Sequence, residues 1–65
     1  MNNLRELREA KSLTQAQVAE NVGISQQAYS LIETGQNAPS LETALQISSF
    51  FEKPVNEIFL LNKTI

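Results

Sequence analysis

Residues 15–34 read QAQVAENVGISQQAYSLIET, and the order of apolar, small and polar residues in that stretch decides the fold. Val18, Ala19 and Val22 recur at the three- and four-residue spacing of one helix face. Thr14, just upstream, is a good N-cap, and Gln17 three residues on completes a capping box. Gly23 suits the left-handed residue that ends such a helix. Ser25 is then a second N-cap, opening a helix that turns Tyr29 and Ile32 inward and stops at Gly35. Two short helices joined by a tight turn containing Gly form a helix-turn-helix.

Upstream, the spacing predicts a helix over roughly Asn3 to Ser12, with Leu4 and Leu7 inward. Arg8, four residues after Leu4, shares the edge of that apolar face. Downstream, Gln36 to Pro39 reads as a loop. Ser40 caps a fourth helix, whose expected inward residues are Leu41, Ala44, Leu45, Ser48 and Phe51. Pro54 opens a short fifth helix carrying Val55, Ile58 and Phe59. The tail, 60–65, is apolar at both ends and has no helical period, so it is free to pair as a short strand. No alternating strand pattern stands out before it. The expected fold class is all-α: five short helices in a single compact domain over residues 1–65, with the helix-turn-helix at 15–34.

Composition narrows the chemistry. The chain has 65 residues, and a domain of that size buries only about 60% of its unfolded surface. Cys and His are absent, which excludes disulfides and a Cys/His metal site. No metal and no cofactor are expected. Asp is absent too, the carboxylates are all Glu, and Ser25 and Ser30 have no base nearby in sequence, so no enzyme constellation exists. Without a secretory signal, a transmembrane run or a lipidation motif, the default location is cytoplasmic, with no membrane partner. No separate sensor domain and no small-molecule ligand are expected.

The charge has the wrong sign for a generic nucleic-acid binder: formally −2, with a pI of about 4.9. Between Lys11 and Lys53 there is not one Lys or Arg, while Glu20, Glu33, Glu42 and Glu52 fall in the same interval. A reading that involves nucleic acid has to rest on neutral groups.

The stretch 15–34 closely resembles the helix-turn-helix of the lambda-repressor/Cro-like family, also called the xenobiotic-response-element family. Small Ala19 allows close approach of two helices, Gly23 sits in the turn, and Val18, Val22, Ile24, Tyr29 and Ile32 take the five apolar locking positions. Glu33-Thr34-Gly35 followed by Pro39-Ser40-Leu41 is similar to a further stretch of the family pattern. The likeness extends from residue 4 to about residue 60. It implies a bacterial or phage-encoded regulator that binds double-stranded DNA as a homodimer on a palindromic operator, most simply as a repressor.

On that resemblance the outward face of the third helix lies in the major groove, and Gln26, Gln27, Ser30 and Leu31 are the candidate base contacts. A glutamine amide donates and accepts one hydrogen bond each, matching the N6/N7 edge of adenine. Leu31 suits a thymine methyl. Candidate phosphate contacts are Gln15, Ser25, Thr34, Gln36, Asn37, Ser40 and Lys11, aided by free backbone N–H groups at helix N-termini. The family pairs an Arg and a Glu across its first and third helices, which implies a structural ion pair between Arg8 and Glu33. Phe59, Leu60, Leu61 and Ile65 leave more apolar surface than one short helix buries and are the candidate dimer interface. A different class of reading, a protein-interaction module of the same fold with little DNA binding, draws on the interval free of Lys and Arg and on Leu31.

Overall fold

The structure is a computed structural model that describes residues 2–60. Its helices are α1 (Leu4–Ala10), α2 (Gln15–Val22), α3 (Gln26–Glu33), α4 (Leu41–Phe51) and α5 (Val55–Ile58). The expected all-α, five-helix class is what folds. The one β feature among the described residues is an isolated antiparallel bridge between Asn2 and Phe59. Leu61 and Ile65 lie outside the described residues.

The local signals at the centre of the chain act as their chemistry dictates. Thr14 accepts from the Gln17 N–H at 3.1 Å, and the Gln17 side chain accepts from the Thr14 N–H at 2.8 Å, closing the capping box. Gly23 has φ 81°, the left-handed conformation that an L side chain resists. Ser25 accepts from Ala28 N–H and Ser40 from Thr43 N–H, each at 3.1 Å. The turn is therefore set at both ends by caps, and α2 and α3 pack on each other through Val18, Ala19, Val22, Tyr29 and Ile32, all buried.

The core adds Leu4 from α1, Ile47 and Phe51 from α4 and Ile58 from α5, with Leu7, Leu13, Ile24, Phe50 and Phe59 packed around it. The first helix is shorter than expected, because the chain leaves helical geometry at Lys11 and Ser12 takes φ 57°. Glu52 ends α4 with the same positive φ. Neither stop carries a glycine, so neither was visible in the sequence. Pro54 sits one place earlier than expected, as the N-cap of α5.

The largest correction concerns α4. Leu41 and Leu45, expected inside, are 77% and 55% exposed, and Ser48 is half-buried. The buried stripe is Ala44, Ile47 and Phe51. Both stripes have helical spacing, and α4 carries apolar residues on each, so periodicity alone does not choose between them. Packing chooses: α4 docks on α2 and α5 together, and the face carrying Ile47 points at both. Among the described residues no helix is long and apolar enough to cross a membrane.

Candidate nucleic-acid interface

With Tyr29 and Ile32 of α3 committed to the core, the opposite side of the helix is left outward. Gln26 and Gln27 are exposed in its first turn, and Ser30 and Leu31 are half-buried in the next. Gln15, at the start of α2, joins these four around one open cleft of about 370 Å³. The cleft presents amides and a hydroxyl on a shallow floor made partly by Leu31. Leu31 is thus more covered than a freely exposed leucine, contrary to expectation.

Behind the cleft stands the Arg8–Glu33 pair. Arg8 grips Glu33 with two parallel hydrogen bonds, Nε to Oε2 at 2.9 Å and Nη2 to Oε1 at 3.0 Å. The side chains are 14% and 5% exposed. A third donor, Nη1, reaches the Leu13 carbonyl at 2.9 Å, immediately before the α2 cap. Gln15 Nε2 donates to Glu33 Oε1 at 3.1 Å. One carboxylate therefore ties α1, the start of α2 and the end of α3.

The electrostatics follow from this geometry. Burial alone would raise the Glu33 pKa, but the hydrogen bonds from Arg8 and Gln15 and the Arg8 charge outweigh it and hold the carboxyl below its ordinary range. Arg8 is raised, chiefly by its bond to Glu33. Burial pushes the Tyr29 phenol up, and the adjacent Glu33 charge pushes the same way. The Tyr29 hydroxyl lies buried beside this cluster without a hydrogen bond of good geometry.

The candidate phosphate contacts are not gathered in the cleft, Gln15 excepted. The Ser25 and Ser40 hydroxyls are engaged as caps. Thr34 Oγ1 donates to the Leu31 carbonyl at 3.2 Å and accepts from Gln36 Nε2 at 3.1 Å, so the turn after α3 bonds to itself. Asn37 is exposed in the following loop, and Lys11 is exposed at the end of α1. Of the candidate dimer residues, Phe59 is half-buried and Leu60 is 45% exposed. Both line an apolar groove of about 280 Å³ with Ile32, Pro39, Ala44 and Val55.

Sequence reasoning missed Asn2. Its Nδ2 donates to the Ile32 carbonyl at 2.9 Å and its Oδ1 accepts from Leu4 N–H at 3.0 Å, so it ties the first N–H of α1 to the last turn of α3. The reach to Ile32 has no signal in the sequence.

A family model described as helix-turn-helix matches residues 4–58. An uncharacterised HTH-type transcriptional regulator of Methanocaldococcus jannaschii is 37% identical over 59 residues, covering 91% of this chain and 89% of that protein. The HTH-type transcriptional activator BcrR of Enterococcus faecalis is 40% identical over 55 residues, 85% of this chain and 27% of that protein. The cryptic phage CTXphi transcriptional repressor RstR of Vibrio cholerae is 32% identical over 57 residues, 88% of this chain and 51% of that protein. The chain thus spans nearly the whole of the first relative, about a quarter of the second and about half of the third.

Proposed function

The chain belongs to the helix-turn-helix family of lambda-repressor/Cro-like transcriptional regulators, and from that premise we propose that it is a sequence-specific repressor acting as a homodimer on a palindromic operator. The observation that carries this reading is the cleft in which Gln15, Gln26, Gln27, Ser30 and Leu31 converge on the outward side of α3. Placed in a major groove, Gln26 and Gln27 reach base edges, adenine being the match for an amide, and Leu31 meets a thymine methyl. Gln15, the turn after α3 and the N-termini of α2, α3 and α4 hold most of the phosphates through neutral groups, with Lys11 the candidate cation among them. In this reading residues 1–65 work as a single domain, and the mechanism is steric occlusion of a promoter. The likeness to RstR favours repression, while BcrR is a named activator that is much longer than this chain.

Two chains related by a two-fold axis place their α3 helices about 34 Å apart, one DNA turn. The groove edged by Phe59 and Leu60 is the surface that supports such a pair. The competing reading, a protein-interaction module, is favoured by Leu41 and Leu45, which expose an apolar stripe on α4. Selection of bound sequences from a random DNA pool separates the two. An enriched palindrome is the expected result. Failure to enrich anything at low salt and high protein overturns the DNA reading and favours the other.

A further inference from the structure

An ion pair buried behind a recognition face is usually counted toward stability alone. Here its hydrogen bonds run further. Glu33 Oε1 accepts from Arg8 on the inside and from Gln15 on the cleft side. The Gln15 amide is planar, so fixing one Nε2–H fixes the direction of the other N–H and of the carbonyl. Neither of those two groups has a partner within 3.5 Å among the hydrogen bonds of the described residues, and Gln15 shares its cleft with Gln26 and Gln27. Arg8 in turn cannot swing away, because its remaining guanidinium nitrogen, Nη1, holds the Leu13 carbonyl beside the α2 cap. The exposed Gln26 and Gln27 have no side-chain hydrogen bond among the described residues.

We propose that Glu33, gripped by Arg8, is a positioning residue for DNA recognition, fixing the Gln15 amide before DNA arrives. This rests on the DNA-reading function assigned to the cleft. A side chain ordered in advance spares the cost of ordering it on binding, about two- to tenfold in affinity for one long side chain. Glu33 thus acts on DNA through Gln15, without touching it, and its negative charge is neutralised from behind by Arg8 rather than presented to phosphate.

Two measurements test this. Side-chain amide relaxation of the free, unaltered protein should show Gln15 Nε2 rigid while Gln26 and Gln27 remain mobile. Equal mobility of all three overturns the proposal. The second measurement is a binding cycle on the enriched operator. Replacing the buried pair by apolar residues, Arg8→Met with Glu33→Leu, is a change that folds tolerate well. That variant should bind about two- to tenfold more weakly with its circular dichroism unchanged. Gln15→Ala should then cost less in its background than in the wild type. Full additivity of the two changes overturns the positioning role while wild-type binding stands. A wild-type protein that selects no DNA overturns the underlying reading instead, and the positioning role falls with it. Should the double replacement not fold, the relaxation result on the wild type decides alone.

Discussion

Gln27 is exposed in the first turn of α3, on the cleft and clear of the core, so its truncation separates reading from folding. Gln27→Ala should relax base preference at one operator position by about 1–3 kcal/mol and leave thermal stability unchanged. Gln26→Ala should do the same more weakly. Affinity measured against each single-base operator mutant checks this, and a specificity profile identical to wild type refutes the assignment. Glu33 sits at the opposite extreme, 5% exposed and fully bonded. Its pKa is lower in the folded chain than the ordinary glutamate value of about 4.3. A group with a depressed folded pKa stabilises above its unfolded pKa, and that stabilisation is lost as pH falls through the folded value. Melting temperature should therefore drop as the pH is lowered from about 5 into the acid range. In the Arg8→Met, Glu33→Leu variant that drop should be smaller. An equal drop in both would place the acid sensitivity on other groups.

The elements owe their limits to single residues. Gly23 has φ 81°, and a Cβ built there meets nothing within 4 Å. Gly23→Ala should consequently cost about 1–2 kcal/mol, all of it from the left-handed backbone rather than from a clash. Urea unfolding measures it, and a loss well above that range would mean the turn itself rearranges. For α4 the two apolar stripes make opposite predictions. Ile47 is fully buried, so Ile47→Ala should cost about 2–5 kcal/mol of folding stability. Leu45→Ala, at a position 55% exposed, should stay within about 0.5 kcal/mol of wild type. Melts of both variants at low protein concentration decide which face of α4 is inside.

For the whole molecule, affinity and assembly are the readouts. With Arg8 engaged by Glu33, Arg5 and Lys11 are the remaining cations nearest the proposed DNA face in the sequence, and Arg5 is also paired with Glu9 at 3.1 Å on the surface. Each phosphate neutralised by a cation lowers log K by about 0.9 per unit of log salt. A dimer with two to four such contacts, as a rough count, should show a shallow slope of about −2 to −4. A slope near −8 would bring Lys53 and Lys63 to the DNA and require a different docking. Assembly is tested by sedimentation. The proposed dimer should be lost from a chain truncated after Leu60, and a dimer unchanged by the truncation would remove the tail from the interface.

The helix-turn-helix was legible because its instructions are local. The Thr14–Gln17 box, the left-handed Gly23 and the Ser25 cap each act within four residues, and the inward positions of α2 and α3 follow from a period of 3.6. The outward position of Gln26, Gln27 and Ser30 came with them, since a helix that buries one face exposes the other. The Arg8–Glu33 pairing was legible only through family resemblance. Its two partners are 25 residues apart, and no local rule joins them. The face of α4, the bond from Gln15 to Glu33 and the reach of Asn2 to Ile32 were decided by tertiary structure alone. Each depends on where a second element lies. On a helix with apolar residues on two stripes, such as α4, only the neighbouring surface selects the buried one. A polar side chain among several possible partners bonds to the one that the packed core carries within 3 Å or so of it.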